Sequence, residues 1–159
     1  MNFKHASFGT VSHGTLRTDD LLDSFASELE WQVRRNRAYY GSPEGPRDDA
    51  MVRLIAEARN AEGNGLNEDD CAEIVQELID ALQEFAPAYA YFGAHCGNGS
   101  DFGYWIDNDA LDHFDGLRVS DTSEIPDNYS GEVLHVNDHG NMTLYAANNG
   151  ALVEVWGVV

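Results

Sequence analysis

One lysine, Lys4, serves a chain of 159 residues, and between positions 60 and 117 there is no basic residue at all against 13 acidic ones. So little positive charge argues against direct DNA or RNA binding and against docking on an anionic membrane, since both require phosphates to be neutralised. Cysteine is almost as scarce: Cys71 and Cys96 are too few for a disulfide scaffold, and the expectation for both is a buried free thiol. No run of about 18 apolar residues occurs. The opening MNFKHASFGTVSHG has no charged segment leading into an apolar one. Neither a membrane span nor a secretory signal is therefore expected, and the expected compartment is the cytoplasm. The short motifs of phosphate, zinc and acyl chemistry (GxxxxGK, HExxH, GxSxG, paired CxxC) are missing too. No enzyme and no cofactor is expected.

What is present is acid. Asp and Glu number 28 against nine Lys and Arg, a net charge of −19 with a pI near 4.3. The imbalance is local: residues 1–59 hold eight basic and nine acidic side chains, while 60–117 are acidic throughout. Adaptation to high salt would spread the charge evenly, and the near-neutral first part, with Arg34, Arg35 and Arg37 clustered, speaks against it.

Length and a 43% hydrophobic share suit a single globular domain, residues 1–159. Leu21, Leu22, Phe25, Leu29 and Val33 recur at helical spacing, which predicts a helix with Thr18 as N-cap running to about Ala38. YYGSPEGPRDD is rich in proline and glycine and reads as a loop, after which Asp48 caps a second helix that EGNG ends. Asn67 caps a third, which Pro87 stops.

From residue 88 the period shortens. AYAYFGAH and DFGYWID alternate around CGNGS as a hairpin, and NDALDHFDG suggests a short helix or turn. GEVLHVND, NMTLYAA and ALVEVWGVV form a meander whose NNG link favours a tight hairpin. SFGTV adds a short extended piece near the start. The expected fold is α+β: about three N-terminal helices (about 18–86) packed on an antiparallel sheet of about five strands (about 88–159).

The third helix, within LNEDDCAEIVQELIDALQEF, concentrates the acid. At 100° per residue Asp69, Glu73, Glu77, Asp80 and Glu84 fall within about an 80° arc, opposite Ile74, Leu78 and Leu82. Ordinary solvated helices mix signs, because i,i+4 pairs of opposite charge stabilise and like pairs cost a similar amount. Here 69/73, 73/77 and 80/84 are all like pairs, together costing roughly 1 kcal/mol that one lysine could relieve. The stripe is the candidate binding face for a basic protein surface.

Asp107, Asp109, Asp112 and Asp115 form a second acidic candidate patch. An EF-hand frame starting at Asp107 fails, since it puts Leu111 and Arg118 where oxygen ligands are required. An alternative gathers His95, His135 and His139 from the strands into a metal or general-base site, as in a small metal-assisted hydrolase or transferase. A third reading uses strand aromatics, Tyr89, Tyr91, Tyr104, Trp105, Tyr145 and Trp156, as the uncovered face of a homodimeric accessory protein with no catalytic role.

SHGTLRTDDLLDSFASEL, YFGAHCGNGSDFGYWID and GEVLHVNDHGNMTLY resemble a family of small uncharacterised proteins carried by bacteriophages, plasmids and integrated elements. The resemblance spans about a third of the chain and implies a mobile-element setting in a bacterial host. In that setting the charge points to a protein that competes with DNA for a basic groove of a host defence complex, by anti-restriction or anti-CRISPR action.

Overall fold

A computed structural model describes residues 3–40, 49–61 and 63–159. Its contacts divide the chain into two compact units, Met1–Asp107 and Asn108–Val159.

The first unit joins strand β1 (Gly9–His13), helices α1 (Thr18–Arg35), α2 (Arg37–Tyr40), α3 (Asp49–Asn60) and α4 (Glu68–Gln83), and the hairpin β2 (Ala90–His95) and β3 (Asn98–Ile106). The three strands form an antiparallel sheet ordered β1-β3-β2. Phe92, Phe102 and Tyr104 point from this sheet into a core shared with Phe25 and Leu29 of α1 and Leu78 and Leu82 of α4. Phe25 meets Phe92 and Phe102 edge-on at 5.2 and 5.3 Å, a geometry that aromatic quadrupoles prefer. Gly103 is required where β1 crosses close to β3, because a Cβ there would run into the Gly9 carbonyl.

The second unit contains α5 (Asn108–Asp112), β4 (Leu117–Val119), a 3-10 turn at Thr122–Glu124, β5 (Gly131–Val136), β6 (Met142–Asn148) and β7 (Ala151–Val158). Its sheet runs β4-β5-β6-β7, with β4 parallel to β5 and the rest antiparallel. Val133, Ala147 and Val119 are buried together on one side. The β6–β7 link follows its sequence signature: Asn149 and Gly150 both take positive φ, 50° and 83°.

The α+β class is as expected, but the sheet is not one of five strands. The N-terminal piece takes the open edge of β3 and ties that hairpin to the helices, and β4 adds a parallel edge to β5, so the strands part into sheets of three and four. Both additions depend on distant pairing that local alternation does not encode. The first helix also starts differently. Arg17 is the N-cap and gives no side-chain cap, while Thr15 accepts from the Arg17 N–H at 3.1 Å and donates to Asp20 at 2.6 Å. It ends at Arg35, with Asn36 as C-cap, short of Ala38. Asn67 caps α4 as expected, its side chain accepting from the Asp70 N–H at 2.9 Å, but the helix stops at Gln83, well before Pro87. Cys96 is exposed at the hairpin turn and Cys71 half-buried on α4, so neither is the buried thiol expected. The predicted loop YYGSPEGPRDD gives up its ends to helices, Tyr39 and Tyr40 to α2 and Asp49 to α3, while its residues 41–48 with the Asp48 cap, and Glu62 of EGNG, lie outside the described residues.

Candidate functional site

Helix α4 is fixed by its apolar face. Ile74, Leu78 and Leu82 are buried, and Cys71, Val75 and Ile79 pack partly against the same core. The rotation that buries them turns Asp69, Glu73, Glu77, Asp80 and Glu84 outward, and all five are exposed. Glu84 lies just past the last helical residue, but as C-cap it keeps helical angles (φ −63°, ψ −23°) and so continues the row. At 1.5 Å per residue the row is about 22 Å long, sparser than the roughly 3.4 Å per phosphate of a DNA strand.

None of the five carboxylates has an ion-pair partner among the described residues. The ion pairs found there, Arg17–Asp19, Arg34–Glu30 and Arg59–Glu30, all involve α1 or the residue preceding it. Asp80 accepts from the Gln76 amide at 3.0 Å, a neutral donor that leaves its charge in place. No basic residue occupies the last turn of α4, where helix carbonyls already carry partial negative charge. The acid therefore continues to the end of the helix where it costs most.

A second acidic feature in this unit was not foreseen. Val11, Ser12, His13, Thr15, Asp19, Asp20, Asp23 and Ser24 line an open polar depression of about 520 Å³ between β1 and the start of α1. Asp19 also lines a depression of about 340 Å³ with Arg17, Leu66, Glu68 and Cys71. This shared side chain links the acidic start of α1 to the first turn of α4. Asp19 and Asp20 are recognisable in the sequence as dipole partners of the first turn, but their place beside β1 depends on the β1–β3 pairing. Desolvation pushes the Asp19 carboxyl upward, yet the hydrogen bond and charge of Arg17 hold it below the usual range.

The second patch divides between the units. Asp107 is half-buried and closes the first unit, while Asp109, Asp112 and Asp115 are exposed in the second. The histidines have separate local roles. His95 accepts from the Gly97 N–H at 3.0 Å and packs edge-on to Trp105 at 4.7 Å. His135 Nε2 lies 3.1 Å from the Ser120 carbonyl, and the backbone N–H of His139, in the β5–β6 turn, donates to Asn137 at 2.9 Å. Among the described residues no three His, Cys, Asp or Glu side chains gather into a group able to hold a metal. Tyr104 and Trp156 are buried and Tyr89, Tyr91, Trp105 and Tyr145 half-buried, so none of the six strand aromatics is a freely exposed ring. Trp31 on α1 is exposed instead.

Fold and site together define an acidic α+β protein that displays a helix with an exposed carboxylate row, unpaired among the described residues. No family model, curated protein or solved structure matches the chain. No helix is long and apolar enough to cross a membrane among the described residues.

Proposed function

We propose that the protein is a non-enzymatic acidic binder of mobile-element origin, acting in the cytoplasm of a bacterial host. It occupies a basic groove of a nucleic-acid-handling defence complex, of restriction or CRISPR type, in competition with DNA. The observation that carries this reading is the row Asp69, Glu73, Glu77, Asp80 and Glu84, exposed along one helix with no ion-pair partner among the described residues. A carboxylate row steers toward Lys and Arg surfaces and speeds encounter more than it adds contact energy, so binding depends steeply on salt. The acidic depression around Asp19, Asp20 and Asp23 extends the same field, and Asp109, Asp112 and Asp115 are secondary candidates. Among the described residues the hydrolase or transferase reading finds no gathered ligand set.

The test measures DNA binding by a panel of restriction and CRISPR effectors with increasing amounts of the protein. The wild type is expected to displace DNA from its target at low salt. The combined Glu73→Lys, Glu77→Lys, Asp80→Lys and Glu84→Lys variant is expected to lose at least tenfold in potency. Equal potency of the two proteins sinks the proposal.

A further inference from the structure

Two open sheets present four edges, and an unprotected edge invites another strand. Three of the four are blunted. At β2 the Gln83 side chain stands in for a neighbouring strand, accepting from the Phe92 N–H at 2.8 Å and donating to the Ala90 carbonyl at 3.4 Å. β1 is five residues long and its register breaks between Thr10 and Ser12, and β4 has only three residues. β7 differs. It is eight residues long, contains no proline and one charge, Glu154, and no strand lies beyond it among the described residues. Leu152, Val153 and Val155 are 36%, 66% and 45% exposed, large values for apolar side chains in a strand.

We infer that β7 pairs antiparallel with β7 of a second copy of this chain. Such pairing continues the antiparallel order of β5, β6 and β7. Around a two-fold axis at Val153, each Val153 opposes the other, Glu154 opposes Leu152, and Val155 opposes Ala151. The one charge of each strand then faces an apolar residue, whereas a register centred on Glu154 sets carboxylate against carboxylate and is disfavoured. Charge thus excludes the register centred on Glu154, exposure favours Val153 as the centre, and the strand offers a cationic partner a single position.

The interface is small. Between Leu144 and Tyr145 the β6–β7 register shifts, leaving Val155 without an opposite residue, so β7 is broken at that point into ladders of Ala151–Glu154 and Trp156–Val158. A pairing that spans only Ala151–Val155 of each strand falls short of the roughly 1,200 Å² at which stable interfaces begin, so the dimer forms only at high concentration. Two copies at −19 each also repel, so salt strengthens this contact, the opposite of its effect on docking through α4. The two readings therefore fail independently.

Sedimentation equilibrium of the whole chain, from micromolar to millimolar concentration at low and high salt, tests the pairing. The wild-type mass is expected to rise toward two copies with concentration, more so at high salt. Val153→Lys, at a position already two-thirds exposed, is expected to keep its circular dichroism and stay at one copy. In a Cys96→Ser background under air oxidation, Val153→Cys should cross-link several-fold faster than Val155→Cys. Directly opposed residues lie about 4.5–5.5 Å apart between Cα atoms, within disulfide reach, whereas the two Val155 positions are four residues out of step. A wild type that stays at one copy throughout leaves the edge to another protein's strand and overturns the inference. So does a Val153→Lys protein that dimerises like the wild type, or a Val155→Cys protein that cross-links as fast as Val153→Cys.

Discussion

Asn36 and Tyr104 are buried in the same unit, at 2% and 1% exposure, with opposite consequences. Asn36 uses its whole amide: Oδ1 accepts from the Lys4 N–H at 2.7 Å, and Nδ2 donates to the carbonyls of Lys4 and Gln32, each at 3.0 Å. Asn36→Ala leaves the Lys4 backbone unpaired and should lower stability by about 2–3 kcal/mol, read as a fall in the thermal midpoint. The Tyr104 hydroxyl has no partner among the described residues, so Tyr104→Phe should be neutral or stabilising at neutral pH. Burial, then the nearby charge of Glu28, drives the Tyr104 ionisation far upward despite Arg35. A raised folded-state value means that the folded protein keeps the phenol proton where the unfolded chain gives it up, so ionisation costs no stability below the ordinary tyrosine pKa of about 10 and the wild type loses stability as pH rises above it. Thermal melts at pH 7 and above pH 10 should show the Phe variant losing less than the wild type; an unchanged alkaline limb refutes this. The Asn67 cap and the Asn149–Gly150 turn were legible because their partners are a few residues away. Asn36 was not, since its partner is 32 residues distant.

At the scale of elements, apolar period placed α1, α3 and α4 and alternation placed five strands, each by a local rule. The division into two sheets was not readable, because a strand's partner is set by registers formed over long separations: the extended piece SFGTV foreshadowed β1 but not its pairing with β3, and β4 is too short to announce itself. The α4 stripe was readable in full, since periodicity alone decides which side chains share a face. Its energetics then separate recognition from stability. Glu77 and Glu84 lie in the half of α4 where the macrodipole is negative, and each forms like-charge pairs along the row. A lysine in place of Glu77 stands four residues after Glu73, and one in place of Glu84 stands four after Asp80, in both cases the favourable order of acid before base. Glu77→Lys and Glu84→Lys should each raise stability by about 0.3–1 kcal/mol, seen as a higher denaturant midpoint with an unchanged slope. If either variant is less stable, the charges serve the fold and the case for a recognition row weakens.

Across the whole molecule both units are acidic: 19 acidic against eight basic residues in Met1–Asp107, and nine against Arg118 alone in Asn108–Val159. The total was plain in the sequence, but its partition was not, because the boundary at Asp107 depends on the β2–β3 hairpin joining the helices. Self-repulsion at −19 weakens any compact state, so added salt should raise the thermal midpoint whatever the charge is for. That effect alone is what a high-salt adaptation requires. The α4 row and the β7 edge demand two more, of opposite sign: salt lowers affinity for a basic groove and raises self-association. One sodium chloride series, followed by melting, sedimentation and displacement of DNA from a defence effector, separates them. Stability and dimer mass should climb together while inhibition falls, most steeply where the Debye length shrinks from about 30 Å to about 10 Å, between roughly 0.01 and 0.1 M. Inhibition that persists above this range would mean the contact is held by buried apolar surface, and the exposed carboxylates of α4 would not be its source.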